Sequence, residues 1–170
     1  MLSAQARVVV PTAADMKELG ARLARLLRAG DLVVLSGDLG AGKTTLTQGL
    51  GAALDVRGRI ASPTFVISRV HPSQHEGPAL VHVDTYRMAD TAEVADLDLD
   101  ESVAESITVV EWGAGLVEAL APDRLELVLT RTTEVPPLAD PDDPSAAVRE
   151  VRVTGVGPRW SGVDLVEALA

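Results

Sequence analysis

Residues 37–45 constrain the fold of this chain more than any other stretch of its sequence. They read Gly-Asp-Leu-Gly-Ala-Gly-Lys-Thr-Thr and fit G-x-x-x-x-G-K-[ST], the phosphate-binding loop (P-loop) of nucleoside triphosphatases. A β-rich run at 32–35 precedes the loop, and apolar residues at helical spacing follow it. Such a match arises by chance in roughly one chain of this length in a few hundred. The sequence therefore predicts a strand, a glycine turn and a helix that together bind a nucleotide.

Each residue type in the P-loop has a physical role. The glycines allow backbone angles that a Cβ would block, so that successive N–H groups form an anion-binding nest at the positive end of a helix. Lys43 supplies a charge for the β- and γ-phosphates, and the Thr44 hydroxyl can ligate Mg²⁺. The predicted nucleotide-binding residues are Asp38, Leu39, Gly40, Ala41, Gly42, Lys43, Thr44 and Thr45.

Composition predicts one domain with an aliphatic core. A chain of 170 residues suffices for one domain of ordinary size, and the sequence has two Trp, one Tyr, one Phe and no Cys. The absence of cysteine suits a reducing compartment. Residues 1–10 lack the pattern of a signal peptide, and no apolar run approaches the ~18 residues of a membrane helix. We therefore expect a cytoplasmic protein with no membrane span.

The charge of the chain is divided unevenly. Residues 1–75 carry nine Lys/Arg and five Asp/Glu, whereas residues 76–170 carry six and twenty, for a net charge of −10. Two oppositely charged halves favour steering of a partner protein, although ordinary solvated faces explain the pattern equally well. Because phosphate neutralisation by Lys and Arg dominates nucleic-acid affinity, we expect no strong nucleic-acid binding by this chain alone.

Two further β-rich runs end in a carboxylate. Residues 79–84 end in Asp84, in the form of a Walker B strand whose Asp lies beside the Mg²⁺ shell. Residues 107–111 end in Glu111. Open α/β sheets bind ligands at the carboxyl edge of their strands, so both acids are expected near the P-loop. Strands also end in Asp for capping alone, and the Walker B interpretation therefore depends on the loop.

A Ser-Pro-Thr-Phe segment at 62–65 follows the predicted P-loop helix. In many P-loop enzymes a hydroxyl in this part of the chain lies near the γ-phosphate and moves on hydrolysis. Thr64 is thus a candidate sensor, and an ordinary turn is the alternative.

The remaining segments predict the rest of the α/β fold. Pro72 and Gly77 exclude a helix that would bring His71 and His75 to one metal, so both histidines are interpreted as surface residues of a loop at 71–78. The acidic segment 90–105 is interpreted as short helices held to the body by Val94, Leu97 and Val103, with its acids forming a solvated face if the chain acts as a monomer. Residues 134–146, rich in Pro and acids, predict a flexible loop. Strands are expected at 7–10, 65–70, 124–130 and 148–153, and helices at 12–30, 116–120 and 160–169.

Four motifs in order and spacing resemble the bacterial TsaE family, formerly called YjeE, the ATPases of tRNA threonylcarbamoyladenosine biosynthesis. The resemblance covers roughly residues 10–131. The motifs are the P-loop, Ser62-Pro63-Thr64-Phe65, His82-Val83-Asp84-Thr85-Tyr86-Arg87, and Glu111-Trp112.

The resemblance implies a single-domain P-loop NTPase with a central, mostly parallel sheet, flanking helices and some antiparallel strands. It implies binding of ATP/ADP and Mg²⁺, with hydrolysis that drives or resets a TsaB–TsaD complex, so that tRNA is reached only through the complex. Residues 40–45 would hold the phosphates, Thr44 and Glu111 would hold Mg²⁺, and Asp84 would position water or the metal shell. The implied catalytic residues are Lys43, Asp84, Glu111 and the sensor Thr64; Tyr86, Arg87 and Trp112 would frame the site or the partner surface.

Three alternatives remain open at this point. A small-molecule kinase needs a basic lid, yet residues 88–123 contain no Lys or Arg. A GTPase needs the Asp-x-x-Gly and Asn-Lys-x-Asp motifs, which do not occur. An adaptor that senses ATP with little turnover remains compatible with the acidic segment. No arginine finger is obvious, since Arg87 in cis and a residue from a partner are both candidates, so slow turnover is expected for the isolated chain.

Overall fold

A seven-stranded sheet runs through the computed structural model, which describes residues 4–132 and 147–170. In chain order the strands are β1 (Gln5–Val10), β2 (Leu32–Ser36), β3 (Ser68–His71), β4 (Leu80–Asp84), β5 (Ile107–Glu111), β6 (Arg124–Arg131) and β7 (Arg149–Val156). The α-helices are α1 (Ala13–Leu26), α2 (Lys43–Ala53), α3 (Thr91–Ala95), α4 (Asp100–Val103) and α5 (Leu165–Ala168). Single turns of 3₁₀-helix lie at Glu118–Leu120 and Pro158–Trp160.

The centre of the sheet is parallel and its edges are antiparallel. The spatial order is β1-β7-β6-β2-β5-β4-β3, in which β2 pairs parallel with both β5 and β6, and β4 pairs parallel with β5. The strands β2, β4 and β5 read as near-continuous apolar runs because helices and turns cover both faces of the parallel part. This architecture confirms the predicted α/β P-loop fold.

The helices α1 and α2 cover one face of the sheet, where the larger part of the core lies. The predicted cap of α1 is present as a capping box, in which Thr12 and Asp15 exchange hydrogen bonds with each other's backbone N–H. The other face is covered by α3, α4 and the turn at Glu118–Leu120, with Val94, Val103 and Val117 buried against it. The acidic side chains of segment 90–105 stay exposed, in agreement with the predicted solvated face.

Two glycines allow α1 and α2 to pack backbone against backbone. A Cβ on Gly20 would lie 2.2 Å from the Leu46 carbonyl oxygen, and a Cβ on Gly49 would lie 2.0 Å from the Lys17 carbonyl oxygen. Neither distance is possible without moving a helix. Because α2 begins at the P-loop lysine, this close packing also fixes the position of the phosphate-binding end of the helix.

Gly49→Ala is therefore expected to lower the free energy of unfolding by about 2 kcal/mol, since the overpacking cost of up to about 3 kcal/mol exceeds the gain of about 1 kcal/mol in helix propensity. Chemical denaturation measures the difference. The matched control is Gly162→Ala, because a Cβ there meets nothing within 4 Å. Equal stabilities of the two variants would contradict the close packing of α1 and α2.

Two local predictions between α2 and β4 are wrong. The strand predicted at 65–70 begins only at Ser68, because the Val66 and Ile67 N–H groups both donate to the Pro63 carbonyl and form a turn. Phe65 is consequently 83% exposed. His71, predicted on the surface, is 2% exposed, since β3 extends to this residue and its Nδ1 lies 3.1 Å from the Arg57 carbonyl oxygen.

The C-terminal segment also differs from its predicted amphipathic helix. Trp160 is buried in a 3₁₀ turn and is the aromatic exception in an otherwise aliphatic core, whereas α5 is only four residues long and leaves Val166 exposed. The predicted loop at 134–146 lies outside the described residues. None of the helices within residues 4–132 and 147–170 has the length and hydropathy of a membrane-spanning segment.

Candidate functional site

The P-loop connects the carboxyl end of β2 to the first turn of α2. Gly40 and Gly42 adopt φ angles of 77° and 108°, which a residue with a Cβ rarely adopts. The helix begins at Lys43 without a side-chain cap, so that its first N–H groups remain available for an anion. The local sequence thus folds into the predicted strand, glycine turn and helix start.

Lys43 folds back over the loop from which it projects. Its Nζ donates to the carbonyl oxygens of Gly37 at 2.6 Å and Asp38 at 3.0 Å, and it lies 4.0 Å from the ring centroid of Trp112. Burial lowers the pKa of Lys43 from its ordinary value, while the nearby carboxylates of Glu111, Asp84 and Asp38 act in the opposite direction. The ammonium group is therefore held beside the loop by two neutral carbonyl acceptors, which a charged phosphate can replace.

Glu111 reaches the P-loop from the end of β5. Its Oε1 accepts a hydrogen bond from the Thr44 hydroxyl at 2.9 Å and lies 2.8 Å from Nε2 of His82. A hydroxyl beside a buried carboxylate offers the hard oxygen ligands that Mg²⁺ prefers, and Mg²⁺ commonly takes one or two protein oxygens with phosphate and water completing the shell. The residues present therefore fit a magnesium ion that accompanies a bound nucleotide.

Asp84 ends β4 directly beside Glu111, with which it is in register across the parallel pair. Its Oδ2 accepts hydrogen bonds from the Thr64 hydroxyl at 2.8 Å and the Ser62 hydroxyl at 3.2 Å, and its Oδ1 accepts one from the Tyr86 N–H. The two strand-end acids and the turn at 62–65 thus meet at one edge of the sheet, as the sequence predicts from strand polarity.

The P-loop and these acids line a cavity of about 280 Å³. Asp38 and Ala41, which the sequence also predicts as nucleotide-binding residues, do not form part of its wall; Asp38 instead offers its carbonyl to Lys43, and the Ala41 side chain is buried in the core. The wall is formed by Leu39, Gly40, Gly42, Lys43, Thr44, Thr45, Ser62, Thr64, Asp84, Tyr86, Glu111 and Trp112.

Aromatic side chains close one side of the cavity. Trp112 has a φ of 62°, an unusual backbone conformation for a non-glycine residue that is typical of functional sites. Its ring lies 4.9 Å from that of Tyr86. Arg87 does not line the cavity; its guanidinium stacks 4.5 Å from the ring of the exposed Phe65.

Two further polar residues, Ser62 and His82, belong to the site, although the sequence pattern predicted no role for either. Ser62 lies two positions before Thr64 and shares its acceptor on Asp84. His82 lies two positions before Asp84, and the period of two in a strand places both on the same face of β4. This shared face with Asp84 is the sequence feature that could have placed His82 at the site.

Comparison with known proteins gives one consistent result. The sequence model of the family described as "Threonylcarbamoyl adenosine biosynthesis protein TsaE" matches residues 10–136. A Streptomyces coelicolor protein named tRNA threonylcarbamoyladenosine biosynthesis protein TsaE is 58% identical over 88% of this chain and 97% of its own length. A Bacillus subtilis protein of the same name is 36% identical over 86% of this chain and 83% of its own.

The fold has a relative of known structure. The crystal structure of Bacillus subtilis YdiB superposes with a TM-score of 0.69 and is 28% identical, with 94% of this chain and 91% of that chain covered.

Proposed function

This chain belongs to the TsaE family of threonylcarbamoyl adenosine biosynthesis proteins, and from that premise we propose that it binds ATP with Mg²⁺ and hydrolyses it in support of tRNA threonylcarbamoyladenosine modification. Hydrolysis would drive or reset a partner complex of the TsaB–TsaD type. The observation that carries the proposal is the meeting of the Thr44 hydroxyl and the Glu111 carboxylate, 2.9 Å apart, with Asp84 beside them in the wall of the same cavity.

The proposed binding step replaces contacts that the protein now makes with itself. Lys43 exchanges the carbonyls of Gly37 and Asp38 for phosphate oxygens, which carry more charge and accept stronger hydrogen bonds. The N–H groups at the start of α2 hold the same phosphates. Thr44 and Glu111 would hold the Mg²⁺, which supplies further neutralisation of the phosphate charge.

The proposed hydrolysis step needs a positioned water and little covalent work by the protein. The Thr64 hydroxyl donates to Asp84 at 2.8 Å and lines the cavity. When a γ-phosphate offers a stronger acceptor, Thr64 turns to it, and Asp84 regains an oxygen that can accept a hydrogen bond from the attacking water. Thr64 thereby acts as the sensor and Asp84 as the group that orients water.

A second cavity gives room for the rest of the nucleotide. It has a volume of about 210 Å³ and shares Gly40, Gly42 and Thr45 with the first. From there it extends to Thr12, Ala13 and Met16 at the start of α1 and to Arg149 of β7. With the γ-phosphate near Glu111, the chain of phosphates passes over the P-loop, and the ribose and base enter this second cavity.

The isolated chain is expected to turn over slowly. Among the described residues that line the first cavity, Lys43 is the only cation, since Arg87 is stacked on Phe65. A missing arginine finger costs about 10³–10⁵ in rate in P-loop enzymes. Phosphate release by the purified chain should therefore be far below ~10 s⁻¹, a typical enzyme rate, and should increase when TsaB and TsaD proteins are added.

The fate of the γ-phosphate separates the proposed ATPase from a small-molecule kinase. With γ-labelled ATP, label should leave only as inorganic phosphate, whatever nucleotide or metabolite is offered as acceptor. Turnover near ~10 s⁻¹ by the chain alone would contradict partner dependence, and transfer of label to an acceptor would contradict hydrolysis.

A further inference from the structure

We propose that His82 is a positioning residue, which holds the Glu111 carboxylate in the orientation that binds Mg²⁺; this inference rests on the proposed function. His82 is 0% exposed, and its Nε2 lies 2.8 Å from Oε1 of Glu111. An ionised carboxylate only accepts hydrogen bonds, so Nε2 carries the proton and donates it. The ring thus acts on the metal site through Glu111 without facing the nucleotide cavity itself.

The place of His82 in the sheet makes core packing a poor explanation for it. It shares one face of β4 with Leu80 and Asp84, and the same face of the sheet carries Val109, its partner in the β4–β5 register. A polar ring buried there costs free energy unless it is hydrogen-bonded. Its Nδ1 has no partner within residues 4–132 and 147–170, so the contact with Glu111 is the polar interaction that accounts for a histidine at this position.

The two hydrogen bonds to Oε1 have different fates when a metal enters. The Thr44 hydroxyl, now a donor to Glu111, is also the expected metal ligand, and it has to turn toward Mg²⁺. The His82 donor lies on β4 and is not itself an expected metal ligand, so it stays in place. Loss of a group that hydrogen-bonds to a metal ligand typically lowers metal affinity or activity by about 10- to 100-fold.

The test uses calorimetry to compare Mg²⁺ binding by the ADP-saturated wild type and its variants. His82→Leu removes the donor and should weaken Mg²⁺ binding about 10- to 100-fold, while ADP affinity measured in chelator stays at the wild-type value. His82→Gln, which can present an amide N–H in place of Nε2–H, should restore most of the Mg²⁺ affinity. The matched control is His71→Leu, the loss of another buried histidine, on β3 and remote from Glu111.

Unchanged Mg²⁺ affinity in His82→Leu, an equal loss in His71→Leu, or no recovery in His82→Gln would each overturn the proposal. A second measurement needs neither metal nor nucleotide: the ¹⁵N shifts of the two ring nitrogens in the ligand-free protein should report a proton on Nε2. Protonation at Nδ1 alone would exclude the donor bond. A wild-type protein that binds no nucleotide in the presence of Mg²⁺ would overturn the proposed function instead, and the ring shifts would still decide whether His82 holds Glu111.

Discussion

Lys43→Met is expected to raise the dissociation constant for ATP at least about 100-fold above that of the wild type. This corresponds to a loss of about 2.8 kcal/mol of binding free energy. Methionine keeps an unbranched side chain but removes the ammonium group, which lies over the Trp112 ring and which the loop presents to the phosphates. The backbone N–H groups of the loop remain, and they alone cannot neutralise a triphosphate. Isothermal titration with ATP and Mg²⁺ measures the loss.

The chain supplies its own control, because Lys17 and Lys43 are its two lysines. Lys17 is exposed on α1, and Lys17→Met should bind ATP as the wild type does. Thermal melting of both variants checks that the fold is retained. Binding by Lys43→Met within a few-fold of the wild type would exclude the P-loop as the phosphate site.

Glu111→Ala is expected to separate nucleotide binding from hydrolysis. The substitution removes an expected Mg²⁺ ligand, so Mg²⁺-dependent phosphate release should fall by about 100-fold or more, as expected for the loss of a preorganised charge-stabilising group. Binding of ADP in the absence of metal should persist, because the P-loop and Lys43 are unchanged. Phosphate release in the presence of partner proteins and ADP titration in chelator measure the two effects.

Glu105→Ala is the matched control for Glu111→Ala, since Glu105 is an exposed acid just before the opposite end of the same strand. It should leave both hydrolysis and binding unaffected. The same variants also test the adaptor alternative in a reconstituted tRNA modification assay. Full modification by a Glu111→Ala protein that no longer hydrolyses ATP would show that turnover is not required.

The sequence predicts most of the candidate site because its chemistry follows from local pattern and strand polarity. A glycine loop between a β-rich run and a helical pattern can only place Lys43 and Thr44 at a helix start. Asp84 and Glu111 each end a strand, and parallel strands bring their carboxyl ends to one edge. These inferences need no knowledge of which strands are neighbours, and the structure brings the four side chains together around one cavity.

The wrong predictions between α2 and β4 fall in two segments where hydrogen bonds to the backbone decide which side chains are buried. The sequence predicts a strand at 65–70, but the turn after Pro63 uses the N–H groups that would start it, and Phe65 is exposed as a result. His71 looked like a loop residue, yet extension of β3 buries it against the backbone at Arg57. In both cases the hydrogen bonds of the backbone decided against the side-chain pattern.

The amino-acid sequence by itself determined the P-loop, the class of fold and the acids at the strand ends, because each depends on residues close together in the chain. Only the tertiary structure decided that β5 lies between β2 and β4, and therefore that Glu111 contacts both Thr44 and His82. It likewise placed the Trp112 ring over Lys43. Such contacts depend on the pairing of strands that are far apart in sequence, and the register of that pairing is set by the packing of the whole sheet.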